Sequence, residues 1–125
     1  ESIERFQRLF PNATIHAFEP GEETFSVLDT KYSNDNRVVL NNYGIGSLDS
    51  EAIYYKNVKS DTSGFIPINL DSVWAVAKAK QSHVEVGELT ESAKTIRVKT
   101  LDGYIAENNI QKVNILKFYN LFLCC

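Results

Sequence analysis

The chain has 125 residues, 43% of them hydrophobic and 23% charged, with six glycines and three prolines. This suits one small globular domain and excludes a disordered or collagen-like chain. The net charge of -3 and the lack of a dense Lys/Arg run speak against a nucleic-acid partner, and no run reaches the roughly 18 apolar residues of a membrane span.

The two cysteines are adjacent, Cys124 and Cys125, so neither a disulfide framework nor a CxxC motif is available. No signal-peptide pattern opens the chain. A reducing, cytoplasmic setting is therefore expected. A chain that begins on Glu1 reads as a processed form or a fragment.

In chain order, Ile3, Phe6, Leu9 and Phe10 recur at helical spacing, which predicts a helix over residues 2–10 that Pro11 and Asn12 stop. Residues 13–18 are rich in strand formers and end sharply at Glu19-Pro20-Gly21. A helix follows over residues 22–32 with Phe25 and Leu28 inward, then a turn at residues 33–36 and a short buried strand at residues 37–40. Helix, strand, helix, strand with short turns is the order of a parallel α/β unit.

Residues 41–50 read as a loop. Residues 51–58 read as a strand alternating through Ile53 and Tyr55. Residues 70–80 suggest either a short helix around Val73, Trp74, Val76 and Ala77 or irregular chain. Residues 93–99 suit a strand, Thr100-Leu101-Asp102 a helix start, and residues 113–117 one more buried strand.

Three segments together carry a family resemblance. They are Phe10-Pro11-Asn12-Ala13-Thr14-Ile15-His16-Ala17-Phe18-Glu19-Pro20, then Val39-Leu40-Asn41-Asn42-Tyr43-Gly44-Ile45-Gly46, and finally Thr100-Leu101-Asp102-Gly103-Tyr104 leading into Val113-Asn114-Ile115-Leu116-Lys117. A strand ending in Phe-Glu-Pro, a strand with a small-residue turn one helix later, and a Thr-Leu-Asp helix start before a strand ending in Lys resemble the FkbM-type S-adenosylmethionine-dependent methyltransferases. The resemblance implies an α/β, Rossmann-like class I methyltransferase fold, here partial, with a mostly parallel sheet and flanking helices. It places a partial methyltransferase domain at residues 1–117 and a divergent apolar tail at residues 118–125.

The resemblance also implies S-adenosylmethionine as cofactor and a small-molecule substrate, with methyl transfer to the hydroxyl of a sugar or similar alcohol. Glu19, at the C-terminal end of a strand, is where open parallel sheets bind ligands, and a carboxylate can accept from both hydroxyls of a ribose. By residue type alone it reads as a solvated acid in a turn; the resemblance reverses this and implies that it holds the methyl donor's ribose. Asn42 and Gly44 border the adenine in the resembled fold, Asn42 by contact with the base edge and Gly44 by close backbone approach. The alternative for this pair is an Asn-rich turn and a glycine that relieves backbone strain.

Asp61, Thr62 and Ser63 form a polar loop that either lines a substrate entrance or is solvated. Asp102 caps or opens a helix. Lys117 either faces the substrate or is structural. His16 reads as packed, His83 as a surface residue, and Trp74, Tyr54 and Tyr55 as core or rim packing. The histidines and cysteines lack metal-site spacing.

Two departures from the family pattern bear on activity. The glycine-rich turn that cradles the donor's carboxypropyl end is expected before residue 2, and Tyr119 stands where the family has an Asp beside the transferring methyl. They predict a methyltransferase fragment with little or no activity of its own. A non-enzymatic α/β nucleotide-binding or interaction module, or a piece of another Rossmann-like enzyme, is the alternative.

Overall fold

Amphipathic and strand-forming segments alternate early in the chain, and the computed structural model follows them. It describes residues 2–58, 63–65 and 67–117, and the backbone of residues 122–124. Two compact units emerge: Glu1–Ser50 with Arg97–Cys125, and Glu51–Ile96.

The first unit opens with helix α1 (Ser2–Leu9), which buries Ile3 and ends before Pro11. Strand β1 (Ile15–Phe18) is buried at all four positions. Helix α2 (Glu22–Tyr32) begins at Gly21, with Glu22 and Glu23 in its first turn and Lys31 in its last, the charge order that complements the helix dipole. Lys31 pairs with Glu4 of α1. Strand β2 (Val38–Asn41) then lies parallel to β1, Ile15 opposite Val38 and Phe18 opposite Asn41.

Residues 41–50, expected as a loop, contain a short strand β3 (Gly44–Gly46). It runs parallel to the last residues of β5 (Thr90–Thr100), with Gly44 opposite Val98. A Cβ at Gly46 would stand 2.7 Å from Val98 Cγ1, so any larger residue there would force Val98 to shift. Helix α4 (Leu101–Glu107) follows β5 directly. Thr100 is its N-cap, its Oγ1 accepting from the Gly103 N–H at 3.1 Å. Asp102 therefore opens the helix from inside its first turn and does not cap it.

Strand β6 (Ile115–Lys117) pairs antiparallel with β7 (Phe122–Cys124), and β7 pairs antiparallel with β1, giving the order β2-β1-β7-β6. The expectation of a mostly parallel sheet is corrected here: the sheet is mixed. The cause is chain length. Only residues 118–121 separate β6 from β7, and so short a link returns a strand antiparallel, whereas a parallel neighbour needs a crossover of a dozen or more residues. Two antiparallel steps make β6 parallel to β1, so β2, β1 and β6 share one direction and β7 alone opposes them.

Alternation along β1 divides the core of this unit. Ile15 and Ala17 join Ile3, Tyr32 and Val38, with Phe6, Leu28, Leu40 and Ile115 packed against them. Phe18 joins Tyr104 of α4, with Tyr43, Ile45, Leu101 and Ile105 around them. β1 is thus covered by α1 and α2 on one face and by α4 on the other.

The second unit holds β4 (Ser50–Asn57) from Glu51 onward, α3 (Val73–Ser82), a 3-10 turn (Val86–Glu88) and the first part of β5. β4 pairs with β5. Val58 N–H donates to Leu89 C=O, Thr90 Oγ1 to Asn57 Oδ1, and Lys56 meets Glu91, so the partners run in opposite order along the two segments. Helix α3 is capped by Ser72, whose hydroxyl accepts from Ala75 N–H, and ends at His83 in the left-handed conformation, φ 57°. Its buried residues are Ala75 and Ala79, packed with Leu89, Ile68, Val84 and Val86. Trp74, expected in core or rim packing, is 48% exposed and Val73 is 87% exposed. Alanine's small side chain lets the helix seat closely, and that turns the larger residues outward.

Candidate functional site

Because β1 and β2 are parallel, their C-terminal ends meet at one edge of the sheet. Glu19 leaves β1 there. Its N–H donates to the Asn41 carbonyl at 2.9 Å, extending the ladder one step past Phe18. The Glu19 side chain turns back, Oε1 accepting from Gly21 N–H at 2.8 Å. Oε2 has no hydrogen-bond partner among the described residues. Burial pushes the Glu19 carboxyl above its ordinary range, and the Gly21 bond opposes that shift. A half-buried carboxylate with one oxygen held and the other unoccupied is suited to receive hydroxyl donors.

Beside it lies a hydrogen-bonded cluster on the α4 face of β1. Asn41 Nδ2 donates to the Ala17 carbonyl at 3.1 Å and to Tyr104 Oη at 3.1 Å. Asn41 Oδ1 accepts from Tyr43 Oη at 3.2 Å. Tyr104 Oη also shares a 2.7 Å hydrogen bond with His16 Nδ1. Since Asn41 donates to that hydroxyl, the hydroxyl's own proton is available to Nδ1. Burial lowers the His16 pKa, which favours the neutral imidazole that can accept at Nδ1.

The rings reinforce the arrangement. Phe18 and Tyr104 meet edge to face, centroids 4.7 Å apart, and Tyr43 lies 5.8 Å from Phe18. Lys99 Nζ stands 5.2 Å from the Tyr43 centroid and pairs with Glu107 at 2.8 Å. Burial raises the Tyr43 pKa; Glu107 adds to this and Arg97 opposes it.

Of the residues read as cofactor-binding, Glu19 and Asn42 are brought to the same edge. Asn42 is exposed, and its neighbour Asn41 makes the bond to Glu19. Gly44 is buried in the pairing of β3 with β5, and no described glycine has a positive φ. Lys117 ends β6 and donates to Ser2 Oγ at 3.1 Å. His83 is exposed at the end of α3. Asp61, Thr62 and Tyr119 lie outside the described residues; Ser63 Oγ accepts from Asn57 N–H at 2.9 Å.

Sequence reading missed Asn41 and Tyr104. The available signal was the place of Tyr104 beside Leu101 and Ile105 on the apolar side of α4; the register of Asn41 opposite Phe18 appears only in the structure. Among the described residues no group of His, Cys, Asp or Glu is placed to hold a metal ion, and no helix is long and apolar enough to cross a membrane.

No curated protein and no solved structure matches the chain. A family model does: the one described as Methyltransferase FkbM domain, over residues 2–118. With its Phe-Glu-Pro strand end, its Thr-Leu-Asp helix start and nearly its whole length inside that match, the chain belongs to the FkbM methyltransferase domain family.

Proposed function

We propose that the chain forms the ribose-facing edge of an S-adenosylmethionine site in a methyltransferase that acts on a hydroxyl group of a sugar or another small alcohol. The observation that carries this reading is Glu19: a half-buried carboxylate at the C-terminal end of a strand, Oε1 fixed by Gly21 N–H and Oε2 without a partner among the described residues. Family membership supports the donor, and the shared direction of β2, β1 and β6 with helices on both faces of β1 supports a Rossmann-like fold.

A bound donor would supply the electrophilic sulfonium methyl. The chain's own residues bind and orient. Glu19 accepts hydrogen bonds from the ribose diol, and its partial desolvation makes those bonds stronger than they would be in water. Asn42, which is exposed, meets the base in this reading. Orientation of this kind contributes to rate by holding donor and acceptor in line.

Calorimetry with S-adenosylhomocysteine tests the reading. The chain should bind, and Glu19→Ala should weaken binding about 10- to 100-fold, the loss of one or two charge-assisted hydrogen bonds. Affinity should also fall as pH drops through the raised range of Glu19, above the ordinary 4.5, because only the ionised form accepts from both hydroxyls. Absence of heat with the unmodified chain overturns the proposal.

A further inference from the structure

The Glu19 carboxylate can serve a ribose only if the strand end that carries it is fixed, and Asn41 hydrogen-bonds both to that strand end and to two tyrosine hydroxyls. The Asn41 carbonyl accepts from Glu19 N–H at 2.9 Å. The Asn41 amide donates to Ala17 C=O, two residues before Glu19, at 3.1 Å. The same amide donates to Tyr104 Oη, and its oxygen accepts from Tyr43 Oη. Asn41 therefore holds β1 on both sides of Phe18 while α4 and Tyr43 hold Asn41.

We infer that Asn41 is the positioning residue for the Glu19 carboxylate, acting through the β1 backbone and without contact to the donor. The inference rests on the ribose reading of Glu19 for its functional meaning. Its structural content is independent of any ligand.

The amide is the part of Asn41 that matters. The backbone bond from Glu19 survives any substitution at position 41, because it uses the carbonyl. The parallel ladder also keeps the Asn41 backbone N–H on Ala17 C=O, so a substitution removes only the second, side-chain bond to that carbonyl. An aspartate would bring acceptors where Ala17 already presents one; leucine would keep the volume and offer no donor. Asn42, one step on and exposed, carries none of these bonds among those described.

The Gly21 amide reports the geometry directly, since it donates to Glu19 Oε1 at 2.8 Å. In a pH series of proton–nitrogen NMR spectra its proton should shift as Glu19 ionises. Asn41→Ala should lose that step while the Ile3 and Ile15 methyl resonances keep their folded positions. Should Asn41→Ala fail to fold, Asn41→Leu makes the same test with the volume retained. Tyr104→Phe is the control for stability: it removes a hydroxyl from the core but leaves the Asn41–Ala17 bond, so its Gly21 step should persist. Asn42→Ala should also retain it.

A Gly21 step of unchanged size and midpoint in both Asn41 variants overturns the inference, as does its equal loss in Tyr104→Phe. S-adenosylhomocysteine calorimetry on the same proteins separates the two proposals. If the Gly21 step is lost in the Asn41 variants while the unmodified chain shows no binding, Asn41 positions Glu19 and the ribose reading fails.

Discussion

On one face of β1, Ile15 and Ala17 meet Ile3, Tyr32 and Val38 beneath α1 and α2. On the other, His16 and Phe18 meet Tyr104, Asn41 and Tyr43 beneath α4. Both faces are closed to water: Ile15 is fully buried, His16 is 8% exposed and Tyr104 1%. The first face is held by non-directional burial, which tolerates small shifts so long as volume is filled. The second is held by hydrogen bonds at fixed distances, which lose their value when a partner moves or changes protonation. The directional face includes Asn41, whose backbone carbonyl also accepts from Glu19 N–H, so it is tied to the strand end that carries the candidate site.

The largest expected effect tests the first face. Ile15→Ala should destabilise the chain by about 2–5 kcal/mol through lost burial and the cavity left behind, read as a lower midpoint in urea unfolding followed by circular dichroism. Tyr104→Phe tests the second face and should cost about 1–3 kcal/mol, because Asn41 and His16 lose a shared partner inside the core. A neutral Tyr104→Phe would mean that ring packing with Phe18, and not the hydroxyl, holds α4 to the sheet.

His16 on the directional face and Glu19 at the strand end should also differ in pH response. Burial lowers the His16 pKa below its ordinary 6.5, so the unfolded chain takes up that proton before the folded one does. Stability should therefore fall as pH drops below about 6.5 and level off once the folded pKa is passed. Glu19 acts with the opposite sign: its raised pKa makes the folded state lose stability as pH rises from the ordinary 4.5 through the raised value. His16→Gln, which keeps a group able to bond Tyr104, should flatten the His16 part of the profile. An unchanged slope below pH 6.5 in unfolding titrations of that variant would remove His16 from the account.

Much of the first face was legible in the sequence because its signals are local. Ile3 and Phe6 repeat at helical spacing, and β1 ends at Glu19-Pro20-Gly21. The second face was less legible, since Asn41 and Tyr104 gain their meaning from partners 24 and 63 residues away. Strands β3 and β7 were missed for the same reason: three residues carry almost no periodicity, and their assignment depends on pairing with β5 and with β1 and β6. In α3 the large residues misled. Val73, Trp74 and Val76 drew attention as apolar, yet Ala75 and Ala79, four apart, form the buried stripe. The place of Glu19 at the end of β1 was legible in the sequence, while the bonds that hold it were not.

The smallest expected effect separates binding from architecture at the end of β2. Asn41 and Asn42 are chemically identical neighbours, and strand alternation gives them different surroundings. Asn41 faces Tyr104 and Tyr43, whereas Asn42 is exposed. Asn42→Ala should therefore leave stability within about 0.5 kcal/mol, as surface substitutions do, while Asn41→Ala should cost more because the buried Tyr104 hydroxyl and the Tyr43 hydroxyl lose their side-chain partner. Urea unfolding of the pair measures this. If Asn42→Ala is neutral in unfolding but weakens S-adenosylhomocysteine, its effect belongs to the ligand alone, and the exposed side of the strand end is where the base is met. If it destabilises the chain as much as Asn41→Ala, the contrast between the two sides of the strand end does not hold there.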